Sequence, residues 1–370
     1  MVDLEAVARD ALELCAIPAP TFAEATRAGE MASRLAAAGL DPRRDEVGNV
    51  LARVGGPGPA IVVAAHLDTV FPMGTALDPV RDGELLRGPG IGDNAMALAA
   101  LLALARDLAA DPPPNDRPVL LAATVGEEGL GDLRGVKHLF NEGLKGQIDR
   151  FVSIDGTGLG ITHISVGSLR YRVTFKGPGG HSYGAFGMVN PIHALGRAMA
   201  AIGDFQVPAE PKTTFNVGRI GGGTSVNSIP FEAWMEVDMR SADAASLQSL
   251  DAKFHRAVDD AVAAENARWS SRALSVDKAL VGNRPAGRAA DTTPIVQAAA
   301  SVTRALGFPV TMDEGSTDAN YPQSLGIPAI TIDGGGRGTG AHALDEAFDS
   351  TDSWKGTQRA LLLTIALAQP

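Results

Sequence analysis

Five short segments of this 370-residue chain carry side chains able to do acid–base or metal chemistry. In AAHLDTV, His66 and Asp68 lie two apart, so on a strand both side chains point to one face. An imidazole ligand with a carboxylate that orients it is a frequent pairing, although an ordinary strand-end His and Asp would read the same way. GIGDNAM places Asp93 after glycines and just ahead of an Ala/Leu-rich stretch, where a carboxylate serves equally well as a helix N-cap. In ATVGEEGLGDLRG, Glu127 and Glu128 follow an apolar run directly. Like charges packed together need a counter-charge unless they face water, and a dication supplies one. One Glu can then bind the metal while its neighbour acts as general base toward water, as two-metal aminopeptidase chemistry requires. Asp155 in SIDG and His342 in GGGRGTGAHALDEAF complete the set; singly, they read as a turn Asp and a solvated loop His.

The elements needed to gather these residues are legible. IVVAAHLDTV, PVLLAATV, RFVSIDG and IPAITID are apolar runs suited to buried strands, and helical patterns stand between them. Buried strands alternating with helices predict an α/β sheet covered on both faces, with ligands at the carboxyl ends of its strands. All five segments are therefore expected on one edge of one sheet. From about Ser165 the rhythm changes: SLRYRVTFKG, a helix from Pro191 to Ile202, strands at 213–220 and 232–240, a helix from Ala244 to Ala267 and a strand near 273–281. That β-α-β-β-α-β order is ferredoxin-like and predicts an inserted domain at 165–283, with 1–164 and 284–370 forming the other domain.

Composition narrows the rest. Lys plus Arg total 32 against 43 Asp plus Glu, a formal charge of -11, which argues against a nucleic-acid or acidic-membrane surface. Cys15 is the one cysteine, so no intrachain disulfide and no Cys-based zinc site can form, and any metal must be held by His and carboxylates. The start, MVDLEAVARDALELCAIPAP, is acidic where a signal peptide would be basic, and the apolar stretch around Ala95 to Ala105 is too short to span a bilayer. A cytoplasmic location without membrane attachment is the expectation.

In order, HLDTV, GIGDN, GEEG, SIDG, GGH, NSIP, DMR and a late AH resemble the dinuclear-zinc exopeptidases and deacylases that include peptidase T, carnosinase, aminoacylase and acetylornithine deacetylase. The resemblance covers nearly the whole chain and is strongest to peptidase T-like members. It implies a mixed-sheet α/β catalytic domain with a ferredoxin-like α+β lid and dimerisation domain inserted, and a homodimer formed through that lid. It also implies two divalent ions, zinc first with manganese or cobalt as alternatives. On these positions it makes His66 and Asp155 ligands of one metal, Glu128 and His342 ligands of the other, and Asp93 the bridging carboxylate. Asp68 would orient His66, and Glu127 would be general base and acid. His181 in GPGGHSYG would stabilise the oxyanion, Asn227 and Arg240 would bind substrate, and Asn320 in STDANYP would belong to a substrate loop. Here Asp93 is followed by Asn94, where many relatives carry another Asp or a Lys shortly after. Asp rather than Glu at 155 leans toward small peptides as substrates. N-acyl amino acids cleaved by a deacylase or carboxypeptidase of the same kind are the alternative, and a non-catalytic binding homologue is the second.

Overall fold

The computed structural model describes residues 3–112 and 117–369, and the chain divides into two compact units, Met1–Ser165 with Gly287–Pro370, and Val166–Ala286. Among the described residues, the first unit is built on a nine-stranded mixed sheet. Its central strand, Ala60–His66, pairs in parallel with Val119–Thr124 on one side and Ile148–Ile154 on the other. Ala329–Ile332 continues the parallel set beside Ile148–Ile154, whereas Val50–Val54 and Gly160–Ser165 run antiparallel to their neighbours Val119–Thr124 and Ala329–Ile332.

The central strand is apolar at every position but its last because both of its faces are covered. Ile61, Val63 and Ala65 pack with Met31, Leu35, Leu98 and Leu101 of the helices Ala25–Ala37 and Met96–Ala110. Ala60, Val62 and Ala64 pack on the other side with Leu133, Val136 and Phe140. Two-sided burial forbids polar side chains until the strand ends, so the first polar group is His66, which is 2% exposed. Cys15 packs in a separate buried cluster with Leu86, Ile91, Met96 and Phe348, its thiol donating to the Pro89 carbonyl, and burial pushes it up to about 12, which removes it from nucleophilic chemistry.

One expectation is corrected here. His66 ends a main-sheet strand, Asp155 follows Ile154 directly, and Glu127 and Glu128 follow Thr124 by three and four residues. Asp93 and His342, however, do not come from main-sheet strand ends. They flank a separate four-stranded sheet ordered Arg337–Thr339, Ala347–Asp349, Leu85–Arg87, Val80–Asp82. Asp93 lies between Leu85–Arg87 and the helix Met96–Ala110, and His342 lies in the connection between Arg337–Thr339 and Ala347–Asp349. Three-residue strands, two of them wholly exposed, carry no alternation of apolar and polar positions, so they read as glycine-rich loop.

In the second unit the sheet order is Thr213–Gly222, Glu232–Ser241, Gly167–Lys176, Ser275–Arg284, all antiparallel, which with two helices is the ferredoxin-like arrangement. Tyr171, Val173, Phe175, Met235, Val237 and Met239 alternate inward onto the helices Pro191–Gly203 and Ala244–Arg268. Both helices start on side-chain caps: Asn190 accepts from the Ile192 amide with Pro191 at the first turn, and Asp243 accepts from the Ser246 amide. No helix among the described residues is long and apolar enough to cross a membrane.

Candidate metal centre

Within the first unit the five expected ligand residues come together. His66 Nε2 lies 3.0 Å from Asp93 Oδ1 and 3.9 Å from Asp155 Oδ1, while His342 Nε2 lies 3.2 Å from Asp93 Oδ2 and 3.1 Å from Glu128 Oε1. Asp93 thus turns one oxygen toward each histidine. Ligand atoms of three overlapping groups, His66–Asp93–Asp155, Asp93–Glu128–His342 and His66–Glu127–Glu128, lie within 4.8 Å of one another. His66 and Glu128 are buried, whereas the His342 side chain is 54% exposed, so the cluster opens on that side. The Asp93–Asn94 peptide is cis, and the Asn94 amide donates to the Ile154 carbonyl, tying the Asp93 loop to the strand end that precedes Asp155.

Asp68 does more than orient an imidazole. His66 Nδ1 is 3.0 Å from the Asp68 backbone oxygen and 3.6 Å from its carboxylate, so the main chain holds the ring more closely than the side chain does. The carboxylate instead accepts the backbone amides of Glu127 and Glu128, each at 2.9 Å on a different oxygen, and the hydroxyl of Thr21 at 2.8 Å. One buried side chain thereby fixes the main chain of both adjacent glutamates. Arg27, itself buried, supports the same strand end by donating to the Leu67 carbonyl.

The electrostatics are those of a site crowded with negative charge. Burial pushes Asp155 well above the usual carboxylate range, and Asp93, Glu127 and Glu128 add to the effect. Burial likewise pushes Glu128 up to about 7, with Asp93 and Glu127 contributing. Burial opposes charge on Asp93 too, but His342 and His66 hold it below its ordinary value. His342, hydrogen-bonded to Asp93, rises to about 9, and His66 rises well above its ordinary value against the penalty of its burial. Protons held between carboxylates and imidazoles are what cations displace on binding. A donor set of two imidazoles and three carboxylates without thiolate fits zinc, manganese or cobalt.

Among the other expected residues, His181 and Asn227 lie together in the second unit. His181 pairs with Ser228 across a two-residue ladder, and the Ser182 amide donates to the Asn227 carbonyl. His181 Nδ1 accepts the amides of Tyr183 and Gly184, which leaves the neutral ring's proton on Nε2. Arg240, near the end of Glu232–Ser241, donates through Nε to Asp238 and is half-exposed. Asn320 is completely buried, and its Oδ1 accepts the Thr317 amide at 2.8 Å.

Thr21, Asp318 and Glu346 belong to the surroundings of the cluster; Asp318 stands in STDANYP and Glu346 in AHALDEAF, but none of the three is a candidate on the sequence alone. Asp318 is buried and accepts the Thr124 hydroxyl at 2.6 Å, and its other oxygen has no hydrogen-bond partner. Burial, then the nearby charge of Glu127, push it up to about 7. Because its folded value lies above the unfolded one, this group favours folding most below pH ~4, and that contribution is lost as pH rises through about 7. The metal-free Asp318→Asn protein is therefore expected to be more stable than the parent at pH 8, by up to ~4 kcal/mol, with the difference shrinking toward pH 5. Urea midpoints of both proteins across that range check this; a difference independent of pH would count against it.

Residues 62–365 match the profile of Peptidase family M20/M25/M40. The chain belongs to this family. It is 31% identical over 249 residues to a succinyl-diaminopimelate desuccinylase of Nitrosospira multiformis, a match covering 61% of this chain and 65% of the relative. The chain thus spans somewhat less than two thirds of that relative's length. Its fold is shared with a tripeptidase from Staphylococcus aureus at a TM-score of 0.81 and 20% identity, with 100% of both chains covered. A dinuclear metal binding peptidase of Bacillus subtilis superposes at 0.70 with 18% identity over 98% of each chain.

Proposed function

We propose that this M20-family chain is a metal-dependent hydrolase that cleaves the amide bond of small peptides, of the dipeptidase or tripeptide aminopeptidase type. The observation that carries the proposal is Asp93, whose two oxygens face His66 and His342, with Asp155 near the first and Glu128 beside the second. In this reading His66 and Asp155 hold one divalent ion, Glu128 and His342 the other, and Asp93 both, with zinc as the metal. Two cations bound there would supply Lewis acidity toward a carbonyl and a water of lowered pKa. Glu127, its backbone fixed by Asp68, takes a proton onto its carboxylate and returns it to the leaving nitrogen. His181, with its proton on Nε2, is in the donor form needed for a developing oxyanion, and Arg240 and Asn227 bind substrate, the guanidinium suited to a terminal carboxylate. The same proposal takes residues 166–286 as a lid and dimerisation domain and the protein as cytoplasmic.

A second reading, an N-acyl-amino-acid deacylase, is favoured by the desuccinylase relative at 31% identity. It needs the same ligands and a different pocket. A rate screen of di- and tripeptides against N-succinyl and N-acetyl amino acids, in buffer of defined zinc content, separates the two. The expected result is faster turnover of the peptides; faster turnover of acyl amino acids gives the assignment to the deacylase, and no turnover of any amide with two zinc ions bound leaves a binding homologue.

A further inference from the structure

Glu346 lies four residues after His342, directly before the short strand Ala347–Asp349, and is 2% exposed. Its carboxylate contacts the loop that carries Asp93 along most of its length. Oε2 accepts the Gly90 amide at 2.7 Å, and Oε1 accepts the amides of Gly92 at 2.8 Å and Asp93 at 3.0 Å. Its own backbone carbonyl accepts a fourth, from Gly88 at 3.0 Å. The loop is shaped to this partner. Gly90 has φ +83, a conformation costly for other residues, and a Cβ added at Gly92 would stand 3.0 Å from Glu346 Oε1. Three convergent amides form a nest that suits a buried anion.

We propose that Glu346 is the positioning residue for Asp93, binding the His342 loop to the Asp93 loop so that the two oxygens of Asp93 are presented to both metal positions at once. The inference rests on the two-metal reading of Asp93. Chain connectivity gives it a specific content. His342 and Glu346 share one short loop, and Glu346 grips the main chain of Asp93 itself, so the spacing between the second histidine and the bridging carboxylate is set through this one side chain. The loops that carry Asp93 and His342 are 249 residues apart in sequence. Without Glu346, four amides over six residues would have one acceptor left, the Glu346-position carbonyl, and Asp93 would sample orientations that suit at most one ion.

The test compares Glu346→Ala, Glu346→Gln and Asp93→Asn with the parent, using Zn2+ alone as probe in a chelator competition, and following amide exchange of the 88–95 segment in metal-free protein. Glu346→Ala is expected to weaken zinc binding ten- to a hundredfold and to raise exchange at 90–93 selectively. Glu346→Gln keeps the shape and one acceptor oxygen but sets an NH2 against at least one amide, so it should fall between parent and Ala, and excess zinc should restore its kcat with KM little changed. The Gln variant also keeps the test decisive if Ala impairs folding. Parent-like zinc affinity and exchange in a folded Glu346 variant, while Asp93→Asn loses zinc, overturns the positioning role alone. Parent-like zinc binding by Asp93→Asn overturns the two-metal reading and this inference with it. Exchange raised uniformly along the chain would show a general structural role and also overturn it.

Discussion

Asp93→Ala is expected to reduce bound zinc from two equivalents per chain to one or none, and to lower kcat/KM at least ~1,000-fold, or about 4 kcal/mol of transition-state stabilisation. The expectation follows from position. Asp93 faces His66 through one oxygen and His342 through the other, so its removal weakens both halves of the cluster, whereas loss of Asp155 or Glu128 weakens one. The ions left behind would face crowded carboxylates without the shared ligand that sets their spacing. Stability provides an independent readout. A ligand at a hundredfold excess over its dissociation constant stabilises the folded state by about 2.7 kcal/mol, so added zinc should raise the melting temperature of the parent by several degrees and that of the variant by little. In the metal-free protein the sign at neutral pH is also determined. His342 and His66 hold Asp93 below its ordinary value against the cost of its burial, so it contributes stability above the unfolded carboxylate value, lost as pH falls through the folded one. The variant should therefore lose modest stability at pH 7 without metal and a larger increment with it. Two zinc ions per chain in Asp93→Ala, by elemental analysis of dialysed protein, would falsify the bridging assignment.

The parts of this arrangement visible in the sequence are those with a period or a motif. AIVVAAH is apolar because both sheet faces are covered, and His66 is the first position released from that constraint, so strand and ligand are read together. In the second unit Glu232–Ser241 alternates along all ten residues, and the topology follows from element order. What escaped had neither signal. The small sheet that supports Asp93 and His342 is made of three-residue strands, too short for alternation to emerge. Thr21 acts across 47 residues through a hydrogen bond to the Asp68 carboxylate, and Glu346 across more than 250 through three backbone amides, and such partners leave no local pattern. Asp68 was legible as a neighbour of His66, but its main work, accepting the Glu127 and Glu128 amides, depends on the strands Ala60–His66 and Val119–Thr124 lying side by side. For Asn320 the motif likeness suggests a substrate contact, while its complete burial and its bond to the Thr317 amide could not be read from the sequence.

The sharpest separation of roles lies within the adjacent glutamates. Glu127→Gln is expected to retain two zinc ions and a KM near that of the parent while kcat falls ~1,000- to 10,000-fold, the upper range for loss of a general acid–base group. Geometry alone leaves another assignment open, because His66, Glu127 and Glu128 also form a group with ligand spacing, which would make Glu127 a ligand. Metal content decides between them. Asp68 holds both glutamates in the same way, Oδ1 on one amide and Oδ2 on the other at equal distance, so a disturbance of the strand end would affect the two variants alike. A difference between Glu127→Gln and Glu128→Gln therefore isolates side-chain chemistry from loop position. Glutamine keeps the shape of the side chain and can still coordinate weakly through its carbonyl, but it cannot accept and return a proton near neutral pH. If Glu127 is the base, its variant is metal-replete and nearly inactive, and Glu128→Gln is metal-poor. If Glu127→Gln loses zinc as readily as Glu128→Gln does, the proton has to be carried by another group, and Glu127 joins the ligand set.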